Sequence, residues 1–106
     1  MVARFDIYLL NLDDEISKDA KNTRPCVVVS PDEMNEHLGS VIVAPISSSA
    51  YDYPTRLPVT VLNATRGIVL DQIRTVDKER LVKKIGEVDT SNRKDLLERL
   101  QEMFAE

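Results

Sequence analysis

The chain has 106 residues, 42 % apolar and 30 % charged, with a formal net charge of −4 at pH 7. That length is expected to fold as one domain, residues 1–106, around one modest core, and the acidic balance argues against bulk nucleic-acid binding. A single cysteine, Cys26, and a single histidine, His37, exclude a disulfide scaffold and a four-ligand Cys/His zinc site. No apolar run approaches the ~18 residues that span a bilayer, and no basic segment leads into an apolar one near the start. A cytoplasmic location without membrane contact is expected.

The first strand is expected over residues 5–10, where apolar and aromatic side chains crowd together. Residues 11–23 are rich in Asp, Lys and Asn and predict a long loop. Pro25-Cys26-Val27-Val28-Val29 is a β-branched run, typical of a strand covered on both faces. Ser30-Pro31-Asp32-Glu33 predicts a helix start, with Ser30 as cap and Glu33 completing a Ser-x-x-Glu box. Gly39 ends that helix within two turns. Residues 41–46 predict a buried strand whose hydrogen bonding is interrupted at Pro45, as at an edge or bulge.

Ser47-Ser48-Ser49 follows, then a turn at Tyr51-Asp52-Tyr53-Pro54. Residues 57–61 predict another strand. Gly67 punctuates before the longest β-rich stretch, 68–76. A brief turn at 77–80 leads into a strand to 88. Asp89, Thr90 or Ser91 caps a closing helix, on which Leu96, Leu97, Leu100, Met103 and Phe104 share one stripe. About six short strands, one small helix and a closing helix predict a small, strongly bent sheet or barrel.

Charge is unevenly spread. Residues 1–53 carry four Lys/Arg and nine Asp/Glu, whereas residues 56–84 carry seven Lys/Arg and three Asp/Glu. A basic stripe can therefore exist on an acidic protein, although solvated strand edges give the same pattern. Arg24 stands at a strand entrance and offers a planar fork of donors suited to phosphate. With Asp19 it would otherwise form an ordinary loop–strand salt bridge. The hydroxyls at 47–49 can reach a phosphate or a ribose, or simply line a solvated turn. Period-2 alternation puts Asp71 and Ile73 on one face and Gln72 and Arg74 on the other. Asp71 then sits on an apolar face and needs a partner, as a hydrogen-bond anchor or a site carboxylate. His37 is expected at the surface and Cys26 as an inert core residue.

Several stretches, in order, resemble the MazF/PemK (Kid-like) toxin family over nearly the whole chain. Asp6-Ile7-Tyr8 with Asn11-Leu12-Asp13 is similar to its opening strand, and Thr23 to Pro31 to its Arg-Pro strand and the following turn. Val43-Ala44-Pro45-Ile46-Ser47 resembles the strand that ends in Thr or Ser, and Leu70 to Lys78 with Arg80-Leu81 a further signature. The resemblance implies a mainly β fold: a small SH3-like β-barrel, as in MazF and CcdB, with a short helix and a C-terminal α-helix, usually homodimeric. It implies the toxin of a type II toxin–antitoxin system, checked by a cognate antitoxin with an acidic tail. Such a toxin is a sequence-selective, metal-independent endoribonuclease that needs no cofactor. It cuts single-stranded RNA through 2′-hydroxyl attack, leaving 2′,3′-cyclic phosphate and 5′-hydroxyl ends.

Residue by residue, the resemblance implies Arg24 as the catalytic arginine and Ser47 as the hydroxyl beside the scissile phosphate. Asp19 and Asp71 fall at acidic site positions. Phe5, Lys18, Lys21, Ser48, Arg74 and Lys78 are expected to contact RNA, and no residue is expected to hold a metal. The chain departs from the pattern at Phe5, where many members have glycine, in the loop Asp14 to Asp19, and at Val69, where some carry arginine. Phe5 is expected to close over the base-binding groove or stack on a base. These departures make a catalytically weak or inactive barrel that binds RNA or antitoxin the first alternative. A CcdB-like gyrase inhibitor is disfavoured, because that family uses a Trp-Gly-Ile end and this chain has no tryptophan.

Overall fold

The computed structural model describes residues 1–16, 22–49 and 51–106. Among these, seven strands form one curled sheet: β1 Asp6–Asn11, β2 Thr23–Val28, β3 Ser40–Ser47, β4 Arg56–Val61, β5 Ala64–Val69, β6 Arg74–Asp77 and β7 Leu81–Glu87. Two helices, α1 Asp32–His37 and α2 Thr90–Met103, complete the fold. The sheet order is β4-β5-β3-β2-β1-β7, and β6 also pairs with β3. The result is a curled half-barrel with a C-terminal helix, as the sequence predicts.

Strand β3 organises the curl. One edge pairs with β2 through Cys26↔Pro45, Val27↔Ala44 and Val28↔Val43. The other edge is shared: β6 takes Ser40 to Val43, and β5 takes Ile46 and Ser47. Val29 N–H donates to Ile42 O at 2.9 Å, so Val29 and Ile42 form a hydrogen-bonded pair. Counting along the antiparallel ladder, Val43 and Pro45 then aim their backbone groups away from β2. The nitrogen of Pro45 thus faces the gap between β6 and β5, where no strand needs an N–H. The expected interruption at Pro45 is this change of partner.

The core has two parts, one on each face of the sheet. Val27, Val29, Ala44, Ile46, Ile68, Leu70 and Leu96 belong to the larger cluster. Cys26 and Val28 pack on the opposite face with Leu10, Val41, Val43 and Val76. β2 is therefore covered on both faces, as its β-branched run predicts. At the start of α2, the Asp89 carboxylate accepts from Ser91 N–H at 3.2 Å. Leu96 is fully buried, and Leu97, Leu100 and Met103 pack beside it. Phe104 lies past the end of the helix and leaves the stripe, at 71 % exposed.

Three further expectations are corrected. Ser30 is buried and does not cap α1; the cap is Pro31, with no side-chain bond. The Ser30 hydroxyl instead bonds the Asn35 side chain and accepts from Ile42 N–H at 3.0 Å, tying α1 to β3. A buried hydroxyl is held by the partners that burial brings to it, not by the nearest helix end. The stretch 68–76 is not one strand: a 3-10 turn at Leu70–Gln72 divides it, giving seven strands rather than about six. Gly67 lies inside β5, opposite Pro58 and Ser47, rather than punctuating it.

Two local devices hold this frame. Phe5 adopts φ 78°, a conformation costly for a non-glycine residue. Its N–H donates to Val28 O and its carbonyl accepts from Val88 N–H, both at 2.8 Å. Its ring packs on the larger core beneath the Arg93 guanidinium, 5.1 Å from the ring centre. Arg99 is the second device. It pairs with Asp95 at 2.8 Å and Asp52 at 3.1 Å, and donates to the carbonyls of Tyr53 and Arg56, the latter at 2.8 Å. One guanidinium thereby clamps the 52–56 segment onto α2.

Each device has a measurable signature. Phe5→Ala keeps the left-handed backbone and loses the ring, whereas Phe5→Gly loses the ring and relieves the backbone. Phe5→Gly should be the more stable of the two by about 1 kcal/mol in denaturant unfolding. Arg99→Ala should cost about 2 kcal/mol, because two carbonyls lose a charged donor.

Candidate active site

Strands β2 and β6 flank β3, and each brings an arginine to the same hollow. Arg24 is the second residue of β2, opposite Leu10, and Arg74 is the first of β6, opposite Val43. Leu10, Leu12, Pro25, Cys26, Val43, Pro45 and Gln72 complete the walls of a cavity of about 210 Å³. The hollow thus lies beside Pro45, where β3 changes partner. Among the described residues no carboxylate lies within ion-pair distance of Arg24 or Arg74, and both are exposed. Two guanidinium groups on a mostly apolar floor, with no carboxylate partner among the described residues, have the chemistry to hold an anion.

Cys26 is on that floor, and its burial disfavours the thiolate form. Burial pushes its thiol up to about 12, and the nearby Arg74 charge offsets only part of this. Ser47 ends β3. Its Oγ accepts from Ser49 N–H at 3.1 Å, so the hydroxyl hydrogen remains available to donate. The β2–β3 ladder stops at Cys26↔Pro45, and two more steps of the same register would set Ser47 opposite Arg24.

The other expected residues are dispersed. Asp71 lies in the 3-10 turn, so the alternation argument fails there: its side chain is 39 % exposed and faces Arg56 Nε at 3.6 Å. It lines a different hollow, with Tyr51, Asp52, Tyr53, Thr55 and Arg56. Phe5 is bonded to Val28, four residues along β2 from Arg24 and so roughly 13 Å away, and it is not in the arginine hollow. Lys78 lines a separate surface hollow with Ile16, Glu79, Leu81 and Val82. Ser48 and His37 are exposed. Lys18, Asp19 and Lys21 lie outside the described residues.

The basic segment 56–84 is only partly free. Arg56 pairs with Asp71, and Lys84 pairs with the buried Asp6 at 3.2 Å. That bond holds the Lys84 ammonium above its usual range. Arg80 donates to Asn11 O at 3.1 Å and Asp13 O at 2.7 Å, which fixes the first residues of the loop after β1. The sequence names Arg80 and Gln72 in stretches that carry the family resemblance but assigns neither a role; the structure puts Gln72 in the arginine hollow and Arg80 on the loop after β1. Among the described residues no group of three or more His, Cys, Asp or Glu has the arrangement of a metal site. Among them also, no helix is long and apolar enough to cross a membrane.

The comparisons agree with this architecture. The model of the PemK-like, MazF-like toxin of type II toxin–antitoxin systems matches residues 3–104. The endoribonuclease MazF of Staphylococcus epidermidis is 33 % identical over 91 residues, spanning 80 % of this chain and 76 % of the relative. The Mycobacterium tuberculosis toxin MazF-mt6 superposes with a TM-score of 0.75 at 25 % identity, over 93 % of this chain and 95 % of that one. A MazE–MazF structure from Deinococcus radiodurans shares the fold with a TM-score of 0.77 at 20 % identity, over 98 % and 95 % of the two chains. A mycobacterial endoribonuclease in complex with its cognate antitoxin gives 0.80 at 20 % identity, over 96 % and 93 %. The chain belongs to the PemK-like, MazF-like toxin family of type II toxin–antitoxin systems.

Proposed function

We propose that this MazF-type toxin is an endoribonuclease whose scissile phosphate is held at the Arg24–Arg74 hollow. The observation that carries the reading is the pair of arginines beside Pro45 that have no carboxylate partner among the described residues, in a chain of this family. The substrate's own 2′-hydroxyl oxygen attacks phosphorus, and the bond from phosphorus to the 5′ oxygen breaks. The products are a 2′,3′-cyclic phosphate and a 5′-hydroxyl. Negative charge grows on the non-bridging oxygens as the phosphorane forms, and Arg24 is placed to offset it. Arg24 acts as a cation, because an arginine stays charged at neutral pH. The Ser47 hydroxyl supplies a second donor to the same oxygens. Arg74 holds the phosphate backbone beside the cut. The proton leaving the 2′-hydroxyl needs a base, for which the sequence offers the carboxylates Asp19 and Asp71 without separating base from acid, and the departing 5′ oxygen takes a proton in turn.

The same reading sets the partners. An acidic antitoxin tail would occupy the arginine hollow and displace RNA, since both are polyanions facing the same guanidinium groups. Two copies of the chain would form a homodimer that extends the RNA-binding surface. The place of action is the cytoplasm, where messenger RNA is found.

Arg24→Ala should lower cleavage of a single-stranded RNA by roughly two to three orders of magnitude, the usual cost of one oxyanion donor. Its melting temperature should stay near that of the parent, because the side chain is exposed. Cleavage should persist in EDTA, and mass spectrometry should show 5′-hydroxyl ends. A 5′-phosphate product, or full activity in folded Arg24→Ala, contradicts the mechanism.

A further inference from the structure

We propose that the hollow formed by Tyr51, Asp52, Tyr53, Thr55, Arg56 and Asp71 is a base-reading subsite for the nucleotide next to the cleaved phosphate, and that guanine suits it best. The proposal deepens the nuclease reading and rests on it for the position of the phosphate. The hollow measures about 460 Å³, room enough for a nucleobase. Tyr51 and Tyr53 are 68 % and 62 % exposed, so neither ring earns its place by core packing. Exposed aromatic faces beside a nucleic-acid site stack on unpaired bases.

The polar groups supply the edge readout. Arg56 Nε faces Asp71 Oδ1 at 3.6 Å, with both side chains more than one-third exposed. An ion pair this open contributes little to stability. It leaves a carboxylate oxygen and the guanidinium tips for a ligand. Guanine is the base whose pairing edge carries two adjacent N–H donors beside a carbonyl acceptor. A carboxylate accepts from those donors, and an arginine donates to the carbonyl. Uracil offers one ring N–H, and adenine and cytosine one amino group each.

Position and rigidity complete the argument. Asp71 and Gln72 are successive residues of the 3-10 turn, yet Asp71 lines this hollow and Gln72 lines the arginine hollow. A strand with its phosphate at Arg24 and Arg74 has only that turn to cross. The segment from Asp52 to Arg56, which bears Tyr53, is held in place beforehand. Tyr53 and Arg56 exchange two backbone hydrogen bonds, at 3.2 and 3.0 Å. Leu70 N–H donates to Thr55 O at 2.9 Å, and Arg99 grips the carbonyls of Tyr53 and Arg56. A site ordered in advance loses little entropy on binding.

The test is a binding selection from a random 2′-fluoro RNA pool, which resists 2′-hydroxyl attack, followed by sequencing. The parent protein should enrich guanine at one position. Asp71→Asn and Tyr53→Ala should each reduce that enrichment roughly tenfold and leave the other positions alone. Arg24→Ala should weaken binding to all sequences alike. The subsite is overturned if both variants keep the parent's enrichment, or if the parent enriches no base. Cleavage of an ordinary RNA pool is read separately. Intact selection without cleavage would sink the nuclease reading and leave the subsite standing.

Discussion

Strand β3 needs partners along both edges, and on one of them no single strand supplies them all. β6 pairs as far as Val43 and β5 begins at Ile46, so the sheet must bend between the two. A proline at 45 is tolerated there because its missing N–H faces the gap. The bend sets β6 and β2 on either side of β3 and brings Arg74 and Arg24 to one hollow. It also requires the chain to turn sharply between β5 and β6. The 3-10 turn at Leu70–Gln72 does this, and it sends Asp71 and Gln72 to different hollows.

Electrostatics explains how an acidic chain can carry the polyanion site proposed for it. Two cations of the basic segment are taken up by structure: Lys84 by buried Asp6 and Arg80 by the loop after β1, while Arg56 makes only an open pair with Asp71. Arg24 and Arg74 have no such partner among the described residues. Two cations placed together in this way attract an anion locally even on a chain of net charge −4. Arg99 contributes from a distance, since its bonds to Asp52, Tyr53 and Arg56 order the rim of the neighbouring hollow without touching the first.

Much of this was legible in the residues. The run Cys26-Val27-Val28 announces a strand buried on both faces, and Pro45 an interrupted ladder, because each follows from local covalent geometry and burial. A cap for α2 at Asp89, Thr90 or Ser91 was legible for the same reason, and the structure selects Asp89. What escaped depended on residues far apart in the chain. Ser30 carries a helix-capping signature, but its partners include Ile42, twelve positions away. The stretch 68–76 has strand-forming residue types, yet the change of partner on β3 forces a turn into it. The left-handed backbone of Phe5 leaves no mark in composition, and the Arg99 clamp joins residues 43 and 46 positions apart. The resemblance puts Arg24, Ser47 and Asp71 in one site, and only the geometry of the turn shows Asp71 lining a different hollow.

The most direct test of the account is a crystal structure of the protein with an RNA carrying 2′-deoxyribose at the cut. The phosphate at that nucleotide should place its non-bridging oxygens within about 3 Å of the Arg24 guanidinium and of Ser47 Oγ, beside Pro45. An RNA strand whose uncut phosphate lies away from Arg24, with the hollow beside Pro45 left unvisited, would contradict it.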